Sequence, residues 1–299
     1  MTESARALFE SLFDYAGLFP PAELDMRDAV RNYARYRTGT HAWMLSRFVL
    51  PIGRLQEFEV AAADILAPGS PAPLWQLSVL SGADVGDTLG VAIDFNRRFA
   101  GRVVIDAVEM KALTEQEIIA AEQVVRKQMT PYVEIAMPAG RAMTAYGGSE
   151  AAGRTPRMLE KIRASAARAK IRTGGVTPEA QPPVESLAAF IHECCAMEVP
   201  FKATAGLHHA VRSPRHGMHG FLNLLFATAL ANRGEPRETV EEVLSEQDPG
   251  AFDLGDNAAA WRNHVFDLRQ LRDARRLFTA VGTCSFEDPI ADLNAMGAL

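Results

Sequence analysis

The sequence predicts a single α/β domain folded as a parallel (β/α)8 barrel of the TIM type. The chain has 299 residues, which accommodates the roughly 250 residues of such a barrel together with extensions. Short apolar runs alternate with amphipathic helical runs roughly every 30 residues, as expected for repeated strand–helix–strand units. No G-x-G-x-x-G or phosphate-binding-loop motif follows the first candidate strand, which favours the barrel over an open nucleotide-binding sheet.

Six candidate strands are short, rich in β-branched or aromatic residues, and bounded by glycine or proline. They cover residues 42–50, 74–80, 102–108, 132–137, 169–173 and 201–205. The helix-like stretches between them cover residues 54–67, 85–99, 115–127, 149–167 and 184–197. Each of these helices returns the chain to the same edge of the sheet, so the strands are predicted to be parallel.

The two ends of the chain depart from this repeat. The first 40 residues are predicted to form a helical extension in which FDYAGLFPPA, residues 13–22, is a connecting turn. After residue 205 the pattern becomes irregular, and the last two barrel strands are expected near residues 263–266 and 281–286. No linker or internal duplication divides the chain, so residues 1–299 are predicted to be one domain, with the extension at 1–40 and the barrel at 41–299.

Composition and charge exclude several classes of protein. Hydrophobic residues make up 48% of the chain and charged residues 23%, which is ordinary for a globular protein and excludes wholesale disorder. The net charge of −6 gives no support for nucleic-acid binding, and no apolar run reaches the roughly 20 residues that span a membrane. Two of the three cysteines are adjacent, which favours a reducing, cytoplasmic location. The sequence leaves the oligomeric state open, a homo-oligomer included.

Two strands carry a lysine within an otherwise apolar run, AKIRTGG at 169–175 and PFKATAGLHH at 200–209. Because side chains alternate along a strand, Lys170 shares a face with Arg172, and Lys202 shares one with Thr204. Both faces of a barrel strand are dry, so a lysine there is costly unless it is paired or functional. Only the interior opens onto a pocket, at the carboxyl ends of the strands.

Lys170 and Lys202 are predicted to lie on neighbouring strands at similar heights. Two inward amines would repel each other, and repulsion and burial together would lower the pKa of one of them. A neutral lysine amine attacks a carbonyl carbon and forms a Schiff base, which then serves as an electron sink. This chemistry predicts a small-molecule carbonyl substrate and requires no cofactor.

The segments KIRTGGVTPE and VPFKATAGLHH resemble the two lysine strands of deoxyribose-phosphate aldolase, a class I aldolase with a (β/α)8 barrel. The clear similarity covers residues 169–212. The resemblance implies an aldolase or lyase in which Lys170 forms the Schiff base and Lys202 tunes it. It also implies that Gly174 and Gly206 are the family's turn glycines.

The sequence departs from that family at two places. The family's proton-relaying aspartate has its nearest counterpart in Asp106, one position out of register. The family's doubled glycine, which approaches the substrate phosphate, is replaced by Ala205, Gly206 and Leu207. The resemblance therefore implies carbonyl chemistry more directly than it implies a sugar-phosphate substrate.

Asp106 and Glu134 are the predicted proton-transfer residues, with Glu109 as a further candidate. Strand alternation predicts that only one of Asp106 and Glu109 points into the barrel. Pairing of Lys170 with Glu134 in a purely structural role is the alternative to catalysis, because perturbed charges also occur in structural ion pairs.

The predicted substrate-binding residues lie at the ends of the two lysine strands and in the loops after them. Arg172 would hold an anionic group, since guanidinium pairs well with carboxylate or phosphate, or else be a buried partner of Asp106 or Glu134. His208 or His209 would orient the substrate together with Arg172. The full predicted set is Arg172, Thr204, Gly174, Gly206, His208 and His209.

Two other readings remain open at the level of sequence. The first is a metal-dependent hydrolase or isomerase that uses Glu134 and the histidines of residues 208–219, although their spacing matches no strong zinc pattern and favours a substrate-binding loop. These histidines are His208, His209, His216 and His219. The second is a non-catalytic ligand-binding barrel in which Glu134 and Asp106 fully neutralise the lysines.

Overall fold

The computed structural model describes residues 2–67, 69, 73–111, 118–137, 154–175, 180–213 and 218–299. Some sequence predictions fall outside these ranges: the starts of the helices predicted at 115–127 and 149–167, and His216. None of the described helices has the length and apolar character needed to cross a membrane.

Eight parallel strands form a closed barrel, which confirms the predicted fold class. The barrel strands are β1 (Phe13–Tyr15), β2 (Leu45–Pro51), β3 (Trp75–Leu80), β4 (Val103–Lys111), β5 (Thr130–Glu134), β6 (Arg168–Arg172), β7 (Phe201–Thr204) and β11 (Phe278–Thr283). A separate antiparallel sheet contains β8 (Phe252–Leu254), β9 (Ala258–Trp261) and β10 (His264–Asp267). The barrel strands follow one another in chain order, and β1 closes the barrel between β2 and β11.

Helices cover the outside of the barrel. The described helices are α1 (Glu3–Phe9), α2 (Met26–Thr38), α3 (Leu55–Ala62), α4 (Val85–Arg98), α5 (Ala120–Arg126), α6 (Arg154–Ala164), α7 (Val184–Ala196), α8 (Phe221–Arg233), α9 (Arg237–Ser245), α10 (Leu268–Leu277) and α11 (Glu287–Ala295). Several helices begin just after a residue whose side chain caps the first turn. Asp84 accepts a hydrogen bond from the Asp87 backbone, and Asp267 forms a capping box with Gln270. Such caps satisfy helix N–H groups that have no partner within the helix.

The hydrophobic core lies between the outer face of the barrel and the helices. Tyr33 of α2 packs edge-on against Trp75 of β3 and Phe48 of β2, with ring centroids 4.8 Å and 5.4 Å apart. Phe58 of α3 contacts the same two strands. These aromatic residues are fully buried and favour tilted or edge-to-face contacts. The barrel interior, by contrast, contains a buried polar cluster.

The predicted boundary between extension and barrel at residue 40 is wrong, because β1 lies within the first 40 residues. Phe13 and Tyr15 point into the aromatic packing outside the barrel, while Asp14 between them is completely buried. The strand near residues 263–266 is also wrong as a barrel strand, since β10 belongs to the small antiparallel sheet. The final barrel strand occupies Phe278–Thr283, a few residues before its predicted place.

A bulge in β4 changes which side chains face the interior. Leu77 of β3 pairs with Ile105, but the next residue, Ser78, pairs with Ala107, so Asp106 is the extra residue. Such a bulge resets the alternation of side chains along a strand. The expectation that only one of Asp106 and Glu109 points inward is therefore wrong.

Candidate active site

Five charged side chains meet inside the barrel, and we refer to them as the lysine–carboxylate cluster. Lys170 Nζ lies 2.8 Å from Glu109 Oε2 and 2.8 Å from Glu134 Oε2. Lys202 Nζ lies 2.7 Å from Glu109 Oε1 and 2.5 Å from Asp14 Oδ2. Glu109 therefore joins the two lysines through its two oxygens, and every member of the cluster has an oppositely charged partner.

The register of the sheet explains why these side chains meet. Glu134, Lys170 and Lys202 are directly paired across β5, β6 and β7. Paired residues on parallel strands point to the same face, so the predicted placement of both lysines at one height is confirmed. Asp14 arrives from β1, which only β11 separates from β7, and Glu109 arrives from β4, the neighbour of β5.

Carboxylates reverse the pKa shift that the sequence predicts for the lysines. Burial lowers the pKa of Lys170, but attraction by Glu109 and Glu134 outweighs burial and raises it overall. Burial likewise lowers the pKa of Lys202, and Asp14 and Glu109 raise it well above its ordinary value. Burial raises the pKa of Glu109, yet the two ammonium groups lower it well below its usual range. The expectation of a resting neutral amine is thus wrong, since it counted the two cations and omitted the acids between them.

The two lysines differ in access. The Lys202 side chain has no exposed surface, and its Nζ lies 4.9 Å from the centre of the Tyr132 ring. The Lys170 side chain is 7% exposed and its partner Glu134 is 14% exposed. Lys170 and Glu134 therefore form the most exposed side of the cluster.

Asp106 lies in the barrel but outside the lysine–carboxylate cluster. It accepts two hydrogen bonds from Arg47, at 2.7 and 2.8 Å, and one of 3.1 Å from Gln76. Gln76 shares a face of β3 with Ser78, which donates to Glu109 at 2.8 Å. The pairing of Asp106 with the lysines, which the non-catalytic reading requires, is not observed.

Glycines allow the backbones of the loops after β6 and β7 to approach each other closely. A Cβ added to Gly174 would lie 3.1 Å from the Gly206 Cα, so neither loop has room for a larger residue there. Gly206 also has φ +79°, a conformation that favours glycine. The Thr173 hydroxyl donates to the Ala205 carbonyl at 2.8 Å, and the Thr204 hydroxyl donates to the Ile171 carbonyl at 3.2 Å. These predicted residues thus shape the loops beside the opening.

The three described histidines of the 208–219 segment, His208, His209 and His219, do not converge. His209 Nδ1 lies 3.1 Å from Asp292, beside a cavity of about 450 Å³ that none of the cluster residues lines. His219 Nδ1 accepts from Arg212, and burial lowers the pKa of His219 to about 4. Within the described part of the chain, no three potential ligand side chains are placed to hold a metal ion.

His208 instead lies 3.8 Å from the sulfur of Cys284, which follows β11. Burial raises the pKa of the Cys284 thiol and lowers that of the His208 imidazole. A thiol becomes an activated nucleophile when its pKa is lowered. The shifts at Cys284 and His208 go the other way and favour the neutral form of both groups. It lies at the carboxyl end of the strands, where the sequence analysis expected His208.

Sequence reasoning missed Asp14 and gave Glu109 too small a role. Asp14 lies in a segment that was predicted to be a turn, although the alternation of Phe13, Asp14 and Tyr15 before a Gly/Pro-rich stretch is the pattern of a short strand. Glu109 was predicted only as an alternative to Asp106, because strand alternation allows one of the two to point inward, and the bulge at Asp106 overrides that alternation.

Comparison with known proteins adds no assignment to this geometry. No protein-family model matches the chain, and no curated protein matches it. The chemistry is therefore argued from the cluster itself.

Proposed function

We propose that this chain is an aldolase- or lyase-like enzyme that acts on a small carbonyl compound through a Schiff base on Lys170. One observation carries the proposal: Lys170, the one lysine of the cluster whose side chain retains any exposed surface, lies 2.8 Å from two carboxylates near the carboxyl ends of barrel strands. Active sites of (β/α)8 enzymes lie at that end of the barrel. A nucleophile beside a proton acceptor is the arrangement that covalent catalysis requires.

Glu134 is the proton carrier in this proposal. The Lys170 ammonium gives one proton to Glu134, and the resulting amine attacks the carbonyl carbon, forming a C–N bond. A proton then moves from the attacking nitrogen to the former carbonyl oxygen, which gives a neutral carbinolamine. Glu134 then donates its proton to the departing hydroxyl, and water leaves with formation of a positively charged iminium. Overall, one ammonium and one carbonyl give one iminium and one water.

Lys202 is a positioning residue in this scheme. It has no exposed surface and it holds Glu109 with Asp14 behind it. The Lys202 ammonium offsets only part of the negative charge of the three carboxylates. Carboxylate charge therefore remains beside Lys170 to stabilise the positively charged iminium. The iminium then accepts the electron pair of an adjacent C–C or C–H bond when that bond breaks.

Borohydride reduction tests the proposal. Wild-type protein incubated with a panel of small aldehydes and 2-oxo acids is expected to gain the mass of a reduced adduct, and peptide mapping should place it on Lys170. K170R keeps the positive charge between Glu109 and Glu134, but guanidinium remains protonated in proteins and forms no imine. We expect K170R to fold and to lose the adduct.

K161R is the matched control, because Lys161 is exposed on α6 and its replacement should leave trapping unchanged. An adduct that persists in K170R, or a wild-type protein that traps no member of the panel, would contradict the proposed function. Circular dichroism of the three proteins establishes that they share one fold.

A further inference from the structure

Arg172 lies directly above the reactive lysine. It is the last residue of β6, two positions beyond Lys170 and on the same face of the strand. Such positions are about 6.6 Å apart along a strand. The Arg172 side chain is exposed, and among the residues that the structure describes none forms a hydrogen bond or ion pair with its guanidinium. Within the described part of the chain, Arg172 is therefore a cation without a partner.

The acids that lie beneath Arg172 in the barrel are already paired with other cations. The cluster contains three carboxylates and two ammonium groups, which gives one net negative charge. Each carboxylate already accepts from a lysine at 2.8 Å or less. Asp106, the other acid that the sequence offered as a partner for Arg172, is occupied by Arg47. The predicted pairing of Arg172 with Asp106 or Glu134 is therefore wrong.

The usual places for a phosphate in this fold are closed. Phosphate sites of (β/α)8 barrels commonly use helix N-termini after the seventh and eighth strands. At the start of α8, the N–H groups of Phe221 and Leu222 already donate to the carbonyls of His209 and Ala210. At the start of α11, Glu287 and Asp288 occupy the first turn and would repel an anion. Among the described residues, the helix starts after both strands are therefore poorly suited to bind a phosphorylated substrate.

A carboxylate next to the reacting carbonyl matches the remaining geometry. In a 2-oxo acid the two groups are directly bonded, so the path from the lysine nitrogen through both carbons to a carboxylate oxygen, plus one hydrogen bond, spans about 6 Å. This length is close to the spacing of the Lys170 and Arg172 backbone positions along β6, whose side chains share one face of the strand. Guanidinium binds a carboxylate through two parallel hydrogen bonds, which fixes its orientation.

We propose that Arg172 is a carboxylate-binding residue and that the substrate is a 2-oxo acid whose carbonyl carbon reacts with Lys170. This inference rests on the proposed Schiff-base function and specifies its substrate class. The carboxylate lies toward the opening of the barrel, away from the net negative charge of the cluster, and the carbonyl faces Lys170.

Reductive trapping with cyanoborohydride tests the substrate class. Pyruvate and acetaldehyde differ by the carboxylate, so each is titrated against wild-type protein and against R172Q, R172K and R163Q. We expect R172Q to raise the half-saturating concentration of pyruvate at least tenfold and to leave that of acetaldehyde unchanged. R172K keeps the charge but loses the paired hydrogen bonds, so it should recover part of the loss. R163Q removes an exposed arginine of α6 and should match wild type.

The outcomes separate this inference from the proposed function. If wild type traps acetaldehyde at concentrations as low as pyruvate, or if R172Q weakens both equally, the carboxylate role of Arg172 is overturned while the Schiff base stands. If the wild-type protein forms no adduct with either compound, the proposed function fails and the substrate class with it. Preferential trapping of glyceraldehyde 3-phosphate over pyruvate would also overturn the carboxylate assignment.

Discussion

Glu109 accepts hydrogen bonds from three side chains in the barrel interior: Lys170, Lys202 and Ser78. Its side chain is 2% exposed, so water cannot replace any of these partners. Removing one member of a buried ion pair leaves an uncompensated charge, which costs far more than an exposed pair contributes. At the scale of single residues, this carboxylate is the group on which both ammonium ions depend.

E109Q should therefore lower the free energy of unfolding by about 3–5 kcal/mol, because two buried lysines lose their shared counter-charge. Urea denaturation at neutral pH measures the change. S78A is the matched control: it removes one neutral donor to the same carboxylate and should cost about 1 kcal/mol. Equal losses in the two variants would contradict the central role of Glu109.

The pH dependence of stability gives an independent check on the same residue. Because the pKa of Glu109 is lowered in the folded state, its contribution is present above the unfolded-state pKa of about 4.3 and is lost as the pH falls below it. The lysine pKa values are raised, so their contribution is lost only above about pH 10.4. Wild type should lose more stability than E109Q between about pH 5 and pH 2. Equal losses of stability in the two proteins over this pH range would contradict this assignment.

At the scale of elements, sequence periodicity was sufficient for strands of ordinary length. Lys170 and Lys202 could be placed together because each strand has a regular apolar alternation around one lysine, and the two lysines are one strand–helix–strand unit apart in the sequence. The strand containing Asp14 has three residues, so its alternation is a much weaker signal than that of the longer strands. The bulge at Asp106 depends on pairing with β3, which no pattern within β4 reveals. Loop residues such as His209 find their partners through tertiary contacts, which periodicity does not describe.

Pairing between β7 and β11 sets a steric limit at the cluster's edge. Gly282 is paired with Thr204, and a Cβ at Gly282 would lie 2.8 Å from the Thr204 methyl carbon. G282A should therefore lower the free energy of unfolding by about 1–3 kcal/mol through overpacking. T204S removes that methyl and keeps the hydroxyl that donates to Ile171, so most of the loss should disappear in the double variant. Urea denaturation of the four proteins gives the coupling energy.

Gly90 provides the control for this element. It lies in α4, and a Cβ there would contact nothing within 4 Å. G90A should leave stability unchanged or raise it by about 0.5–1 kcal/mol, because alanine favours the helix. Additive effects of G282A and T204S would show that the two residues do not compete for space.

At the scale of the whole molecule, the barrel closes through its shortest strand. β1 pairs with β11 on one side and with β2 on the other. The first and last barrel strands therefore lie side by side next to the cluster. Asp14 of this strand holds Lys202 of β7, 188 residues away. The segment that sequence analysis treated as an extension is therefore part of both the barrel wall and the candidate active site.

A chain that begins at Asp25 would retain the cap of α2 but lack β1, leaving β2 and β11 as open edges with unpaired backbone groups. We expect this truncated chain to lose cooperative unfolding in urea, followed by tryptophan fluorescence and circular dichroism. D14N removes the charge but keeps β1 and an oxygen that can accept from the Arg47 backbone N–H. It weakens the hold on Lys202, so it should unfold cooperatively at a lower urea concentration. A truncated chain that unfolds cooperatively with the stability of D14N would show that the barrel wall does not require this strand, and that Asp14 contributes through its charge alone.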